Sequence, residues 1–254
     1  MKAAEAMSLG CSHLPKYSPY EKRKEMQGNL SNTQIKKGMV ITVCFVVLRL
    51  IVAQLWNLWF GGTYRLSISF LTFLLSAFLV MSVGLVYLGF TRWVGVDLKA
   101  WWFKRGSILK DIVWGVGAII GLGVLVLGLG IAMSAFGLAF SSPMASQDNV
   151  SLPQLPIDLV LGWFFGFAMA SFGEETLFRG FLQGVVATKY GKWGSNLLQA
   201  AIFSVSHLGM EPLVSVGNVA FLLLFRFGFG ILLGWLRMKR GSLLAAGIAH
   251  GIMG

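Results

Sequence analysis

Seven ionisable residues lie inside long apolar stretches of this sequence, where charged side chains are rare. They are Arg49, Glu174, Glu175, Arg179, His207, Arg226 and His250. A charged group inside a membrane helix costs about 2.5–3.5 kcal/mol even on the lower scales, so each of these residues is a candidate for a functional role. Glutamate and histidine are also the side chains that commonly transfer protons in hydrolysis. The set therefore predicts a buried polar site.

The segment Ser171–Arg179 contains two adjacent glutamates and an arginine. On an α-helix, Glu175 and Arg179 are four residues apart, share a face and can form an ion pair. Glu174 is rotated by about 100° from its neighbour and has no arginine on its own face. We therefore predict that Glu175 and Arg179 support the site and that Glu174 acts in the chemistry. A purely structural ion pair is the alternative for Glu175 and Arg179.

Two of the three histidines in the chain lie in later apolar stretches, at His207 and His250. Imidazole and carboxylate are ordinary zinc ligands, so Glu174, His207 and His250 are candidates for a zinc site. The same groups could hold and polarise a water without any metal. The sequence leaves both alternatives open. It contains neither His-Glu-x-x-His nor Gly-x-Ser-x-Gly, which disfavours single-helix zinc proteases and serine hydrolases.

Two arginines in apolar stretches are harder to interpret. Arg226 could line a cavity and bind a substrate carboxylate or a lipid phosphate, since guanidinium binds both groups well. It could instead pair with Glu174 or Glu175. Arg49 lies near the middle of the first apolar stretch, where it could pair inward or lie in a polar cavity, and the sequence assigns it no further role.

The composition indicates a membrane protein. The chain has 254 residues, of which 56% are hydrophobic and 12% charged, about half the charged fraction of an average soluble domain. Since a span needs about 20 apolar residues, we predict an all-α polytopic membrane protein of about seven transmembrane helices with the polar site inside the bundle. The apolar stretches are residues 39–60, 66–90, 112–140, 157–187, 195–210, 214–236 and 242–254.

The basic residues indicate how the helices are oriented. The net charge is +11, and lysine and arginine cluster in the tail 1–38 and in every second connection between apolar stretches. Such placement is typical of cytoplasmic loops and argues against nucleic acid as a partner. We therefore predict a cytoplasmic tail at residues 1–38, followed by N-terminal transmembrane helices at 39–156. The tail does not resemble an organelle transit peptide, which favours a bacterial inner membrane.

Two local patterns predict how individual helices are placed. Gly117 and Gly121 are four residues apart and predict the close approach of a neighbouring helix. Trp101, Trp102 and Phe103 stand beside basic residues, which is typical of an aromatic belt at the membrane surface.

Three motifs together resemble the CPBP family of intramembrane proteases. They are Glu-Glu-x-x-x-Arg at 174–179, Phe-x-x-x-His at 203–207 and a final histidine at position 250. This family includes the type II CAAX prenyl endopeptidases and bacterial proteins of bacteriocin processing or immunity. The resemblance covers residues 157–254 and implies that they form a protease core around a conical, water-accessible cavity.

The resemblance also implies roles for the site residues. Glu174 would activate the attacking water together with His207, and His250 would help to stabilise the oxyanion. Glu175 and Arg179 would support the site. The family usually has Asn or Asp four residues after the last histidine, whereas this chain has Gly254 there. Either the polar partner is lost, or the chain is incomplete or altered at its end. If Gly254 is the natural residue, the departure predicts a slower enzyme, because one oxyanion donor is worth about 100- to 1000-fold in rate.

Three hypotheses for the function follow. The first is an intramembrane endopeptidase that cuts a membrane-associated peptide or a prenylated CAAX-type protein with a water activated by glutamate and histidine, with or without zinc. The second is a catalytically weak or inactive immunity or scaffold protein of the same family, which Gly254 favours. The third is a proton-coupled carrier, since intramembrane glutamates and histidines also relay protons. The lack of an internal repeat argues against many carrier folds.

Overall fold

The computed structural model describes residues 30–60, 78, 81–104, 106–136, 164, 167–208 and 216–253. Every regular element within these ranges is helical, which confirms the predicted all-α fold. Most of the N-terminal tail and Gly254 lie outside the described residues. The elements are α1 (Asn32–Phe60), α2 (81–94, ending in the π-helical turns Gly89–Val94), α3 (Leu98–Trp102), α4 (Ile108–Ala135), α5 (the π-helical segments Ala168–Glu174 and Thr176–Leu182), α6 (Gln183–Val205), α7 (Val216–Arg240) and α8 (Leu244–Met253).

Two of the described helices are long and apolar enough to cross a membrane. They are Ile108–Ala132 within α4 and Val219–Arg240 within α7. Much of the apolar surface of α4 faces outward, and the side chains of Leu109 and Val124 are 75% and 66% exposed. Lipid is the solvent in which such a surface is stable. The seven predicted spans stay a prediction.

Helix α1 packs against α5 along one face. A Cβ atom at Gly38 would overlap the ring of Phe181, and the ring of Phe45 lies 3.5 Å from the Cβ position of Gly173. Ile41, between these two contacts, is buried. As α1 advances from residue 38 to residue 45, its partners on α5 move back from residue 181 to residue 173. The two helices are therefore antiparallel.

Helices α6 and α7 are joined by amide side chains. Gln199 donates to the carbonyl of Gly230 at 3.0 Å, and Asn196 donates to the carbonyl of Ile231 at 3.1 Å. Glycine at position 230 lets the two backbones approach, since its Cβ position lies 3.0 Å from Ala200. Small residues and interhelical hydrogen bonds are the means by which helices associate in lipid, where no hydrophobic force drives them together.

Helix α4 meets α8 at Gly115. A Cβ atom added there would lie 2.7 Å from the carbonyl oxygen of Ala245. The predicted close approach at Gly117 and Gly121 is wrong, because among the described residues nothing lies within 4 Å of a Cβ atom at either position. Gly115 and Gly117 are two positions apart, which corresponds to a rotation of about 200° around an α-helix. The packed face of α4 is therefore nearly opposite to the predicted one.

Replacement of Gly115 by alanine is expected to lower the free energy of unfolding by about 1–3 kcal/mol, because the new methyl group meets backbone that cannot move aside. The matched control is Gly117→Ala, which adds the same methyl group where space is open and should be neutral or stabilising. Thermal unfolding in detergent measures both variants. Equal stability of the two proteins would contradict the contact between α4 and α8.

The predicted surface belt of aromatic residues is wrong for Trp101 and Trp102. Both side chains are buried, whereas Phe103 is 52% exposed. The indole N–H of Trp102 donates to the Thr176 hydroxyl at 3.0 Å. The ring of Trp101 occupies the space beside Gly180, where a Cβ atom would lie 2.6 Å away from it. Helix α3 thus folds inward over α5 and forms part of the core.

The buried carboxylate of Asp111 joins the start of α4 to the turn between α7 and α8. It pairs with the Nε of Arg240 at 2.6 Å, and it accepts hydrogen bonds from Ser242 at 2.8 Å and Ser107 at 3.0 Å. These described partners satisfy both carboxylate oxygens. The cluster therefore fixes helix positions, and its residues have no spacing that would mark them as partners in the sequence.

Candidate active site

The two glutamates lie where the two π-helical segments of α5 meet. Glu174 ends the first segment, and Thr176 begins the second. The sequence analysis assumed an α-helix here, whereas a π-helical turn is wider because its hydrogen bonds connect residues i and i+5. The i,i+4 pair nevertheless forms, with Nη1 of Arg179 2.8 Å from Oε1 of Glu175. Such wide turns occur frequently at functional sites.

Glu175 is the centre of a fully buried group. Its Oε1 accepts from Arg179 and lies 2.7 Å from Nδ1 of His250 on α8. The side chains of Glu175 and Arg179 are 0% exposed. Arg179 also donates to the carbonyl of Gly230 on α7 at 3.4 Å. The predicted pair thus brings α5, α7 and α8 together.

Glu174 has a different partner at each of its oxygens. Its Oε1 forms an ion pair with the guanidinium group of Arg49 on α1. Its Oε2 lies 3.6 Å from Nε2 of His207 and 3.8 Å from Nε2 of His250. Within the described part of the chain this oxygen is buried and has no hydrogen-bond partner. Glu174 therefore presents one carboxylate oxygen to both histidines.

The expectation that Glu174 has no arginine holds only for its own helix. The arginine comes from α1, which the sequence analysis left without a role. The position of Arg49 in an apolar stretch indicates that it needs a partner, but the sequence cannot identify that partner because a contact between distant segments has no characteristic spacing. Arg226, the other candidate partner, donates to the backbone carbonyl of His207 at 3.3 Å.

The hydrogen bonds of the two histidines determine which ring nitrogen carries the proton. Nδ1 of His207 lies 2.7 Å from the carbonyl oxygen of Phe203, and Nδ1 of His250 faces the Glu175 carboxylate. Both partners only accept hydrogen bonds, so we assign the proton to Nδ1 in each ring. In a neutral ring the Nε2 atom that faces Glu174 is then an acceptor, and in a doubly protonated ring it is a donor.

The ring of Phe203 lies next to three basic side chains of the site, which are those of His207, His250 and Arg179. Its centroid lies 4.4 Å from the ring of His207 and 5.4 Å from that of His250. On the same ring the guanidinium carbon of Arg179 sits 4.2 Å from the centroid, a favourable cation–π distance. Phe203 is itself buried. The ring of Phe203, the phenylalanine of the second motif, therefore packs against both imidazoles and against the guanidinium group of Arg179.

The predicted zinc ligands do not form a metal site within the described residues. No group of three His, Cys, Asp or Glu side chains there is arranged to hold a metal ion. The guanidinium of Arg49 is bound to the carboxylate of Glu174, and its charge would repel a divalent cation at that group. The arrangement of these side chains therefore gives no support to the zinc site, which stays a prediction.

A shallow apolar groove lies between α1 and α6. Its volume is about 340 Å³. Two of its lining residues adjoin Arg49 and His207 in the sequence. The groove is lined by Val46 and Leu50 from α1 and by Ala201, Ile202, Val205 and Ser206 from α6 and the turn that follows it.

Residues 156–254 match the family described as type II CAAX prenyl endopeptidase Rce1-like. This match confirms the resemblance that the three motifs indicate, and it covers the helices that carry both glutamates and both histidines. The family consists of membrane-integral proteases. No curated protein matches the chain.

Proposed function

Because residues 156–254 form an Rce1-like domain, we propose that this protein is an intramembrane endopeptidase. It hydrolyses a peptide bond of a membrane-associated substrate. The observation that carries the proposal is the buried Oε2 of Glu174, which faces Nε2 of His207 and of His250. A carboxylate oxygen and an imidazole nitrogen directed at one point can hold and deprotonate a water.

In the proposed reaction, Oε2 of Glu174 and Nε2 of His207 accept the hydrogen bonds of one water. Glu174 takes a proton as the water oxygen bonds to the carbonyl carbon of the substrate. The C–N bond of the resulting tetrahedral intermediate then breaks, and Glu174 returns the proton to the leaving amine. Arg49 and Phe203 hold the glutamate and the imidazole in place.

His250 stabilises the oxyanion in this mechanism. Its Nδ1 already donates to Glu175, so its Nε2 can donate to the oxyanion only when the ring is protonated on both nitrogens. The Glu175 carboxylate stabilises this imidazolium, as the aspartate of a catalytic triad does. Glu175 and Arg179 thus support His250 rather than Glu174. No step requires a metal.

The apolar groove supports a substrate that is itself embedded in lipid, either a prenylated protein or an unmodified peptide. The proposed location is a bacterial inner membrane, with about seven spans and a cytoplasmic N-terminus. In that setting an apolar part of the substrate lies in the groove between α1 and α6, and the scissile bond reaches Glu174 from the side of the bilayer.

Cleavage by the full chain in proteoliposomes tests the proposed function. Farnesylated and unmodified peptide libraries are offered, and mass spectrometry identifies the cut sites. We expect cleavage that persists in the presence of a zinc chelator. Loss of cleavage in the chelator, with restoration by zinc, would favour a metal mechanism instead. If the well-folded protein cleaves neither library, the binding function of an immunity or scaffold protein gains support.

Filling the groove is expected to impair cleavage. Val205→Trp places a large ring among the lining residues, and the loss of about 1.4 kcal/mol of substrate binding corresponds to about 10-fold slower cleavage of a lipid-anchored peptide. The matched control is Val124→Trp on the outward face of α4, where the side chain is 66% exposed. Rates in proteoliposomes compare the two variants. Equal rates would exclude the groove as the route to the site.

A further inference from the structure

We infer that Arg49 is a positioning residue for the reaction: it keeps the Glu174 carboxylate ionised and directs its Oε2 toward His207 and His250. The inference rests on the proposed function but concerns a part of the chain outside residues 156–254. Arg49 is buried and 6% exposed. The segment that matches the protease family therefore does not contain the whole site.

The position of Arg49 is fixed by the packing of α1. Phe45 and Arg49 are four residues apart, so they lie on the same face of α1. Phe45 contacts the Cβ position of Gly173, and Arg49 pairs with the next residue, Glu174. At the other end of the contact, Gly38 meets Phe181. Because α1 packs against α5 over several successive turns, the guanidinium group of Arg49 has less conformational freedom than a surface side chain.

The charges at the site give Arg49 its role. Two adjacent buried carboxylates repel one another and resist ionising together. Arg179 and His250 both bind Glu175, and the arginine that pairs with Glu174 is Arg49. Arg49 is thus the cation that balances the second carboxylate. Without it, a buried carboxylate takes up a proton, and a protonated Glu174 cannot accept one from water.

The geometry adds a second effect. Arg49 binds Oε1 of Glu174, which leaves Oε2 to face the histidines at 3.6 and 3.8 Å. A carboxylate without that ion pair can rotate and turn either oxygen away from the water. Arg49 itself contacts the glutamate and not the reacting water, so its removal should change kcat and leave KM unchanged.

The protonation of Glu174 can be measured without any substrate. Dicyclohexylcarbodiimide modifies protonated carboxyl groups in membranes and spares ionised ones. The full-length wild type, Arg49→Gln and Arg92→Gln are treated in proteoliposomes, and tandem mass spectrometry distinguishes modification at Glu174 from that at Glu175. Arg92 is an exposed arginine on α2 and provides the matched control. We expect strong labelling of Glu174 in Arg49→Gln alone. Equal labelling in all three proteins would overturn the inference.

Activity provides a second, separate readout. Misplacement of a reacting group by about 1 Å can cost about 100-fold in rate, so we expect Arg49→Gln to lower kcat by up to this factor and Arg49→Lys to retain more activity. Guanidinium ion added to Arg49→Ala should restore part of the rate, which a merely structural role would not produce. Failure of this rescue together with a wild-type kcat in Arg49→Gln would overturn the inference.

The two measurements also separate this inference from the proposed function. A wild type that cleaves no substrate, with Glu174 labelled only in Arg49→Gln, would refute the protease and keep Arg49 as the residue that ionises Glu174. A wild type that cleaves, with Arg49→Gln equal to it in both labelling and rate, would keep the protease and refute the role of Arg49.

Discussion

Replacement of Glu174 by glutamine is expected to lower kcat by about 10²- to 10⁴-fold, which is the usual contribution of a general base. The amide has the shape of the carboxylate and can still accept a hydrogen bond from Arg49, but it cannot take a proton from water. Single-turnover cleavage of a peptide in proteoliposomes measures the loss. Glu174→Asp keeps the carboxylate one carbon further from the histidines and should retain part of the rate.

Two controls make the result for Glu174 interpretable. Glu25→Gln applies the same chemical change in the N-terminal tail and should cleave at the wild-type rate. Thermal unfolding in detergent shows whether each variant is folded. A folded Glu174→Gln protein that cleaves as fast as the wild type would exclude Glu174 as the base and with it the proposed mechanism.

Replacement of His250 by alanine is expected to lower kcat by about 10²- to 10³-fold with little change in KM, because an oxyanion donor acts in the transition state. The third histidine of the chain, His13 in the tail, provides the matched control, and His13→Ala should leave the rate unchanged. Steady-state kinetics on the same peptide measure both variants. A raised KM with an unchanged kcat would assign His250 to substrate binding instead.

The part of the site that is local in sequence could be predicted. Glu175 and Arg179 pair as their spacing indicates, and a π-helical turn does not prevent the contact. His207 and His250 were recognised because an ionisable side chain in an apolar stretch is costly wherever it lies. The structure places both within 4 Å of Glu174. The catalytic roles of these residues remain predictions that the variants above test.

The parts that depend on distant segments could not be predicted. Arg49 and Glu174 pair between two helices, and the sequence around either residue does not indicate its partner. Gly115 packs against α8 while Gly117 faces outward, although both belong to the same glycine-rich stretch. Trp102 is buried because Thr176 of α5 accepts its N–H. Tryptophan beside lysine is equally typical of a membrane surface, so composition could not distinguish the two placements.

The pair of Arg49 and Glu174 has a consequence for biosynthesis. Helix α1 emerges from the ribosome long before α5, and chains generally acquire structure from the N-terminus during synthesis. In the predicted topology, α1 therefore enters the bilayer with a buried cation whose partner has not yet been made, at a cost of about 2.5–3.5 kcal/mol. The insertion machinery has to tolerate this charged helix until α5 arrives. The ion pair between Arg49 and Glu174 thus joins two helices that are made at different times, and its stabilisation is available only after the second one is inserted.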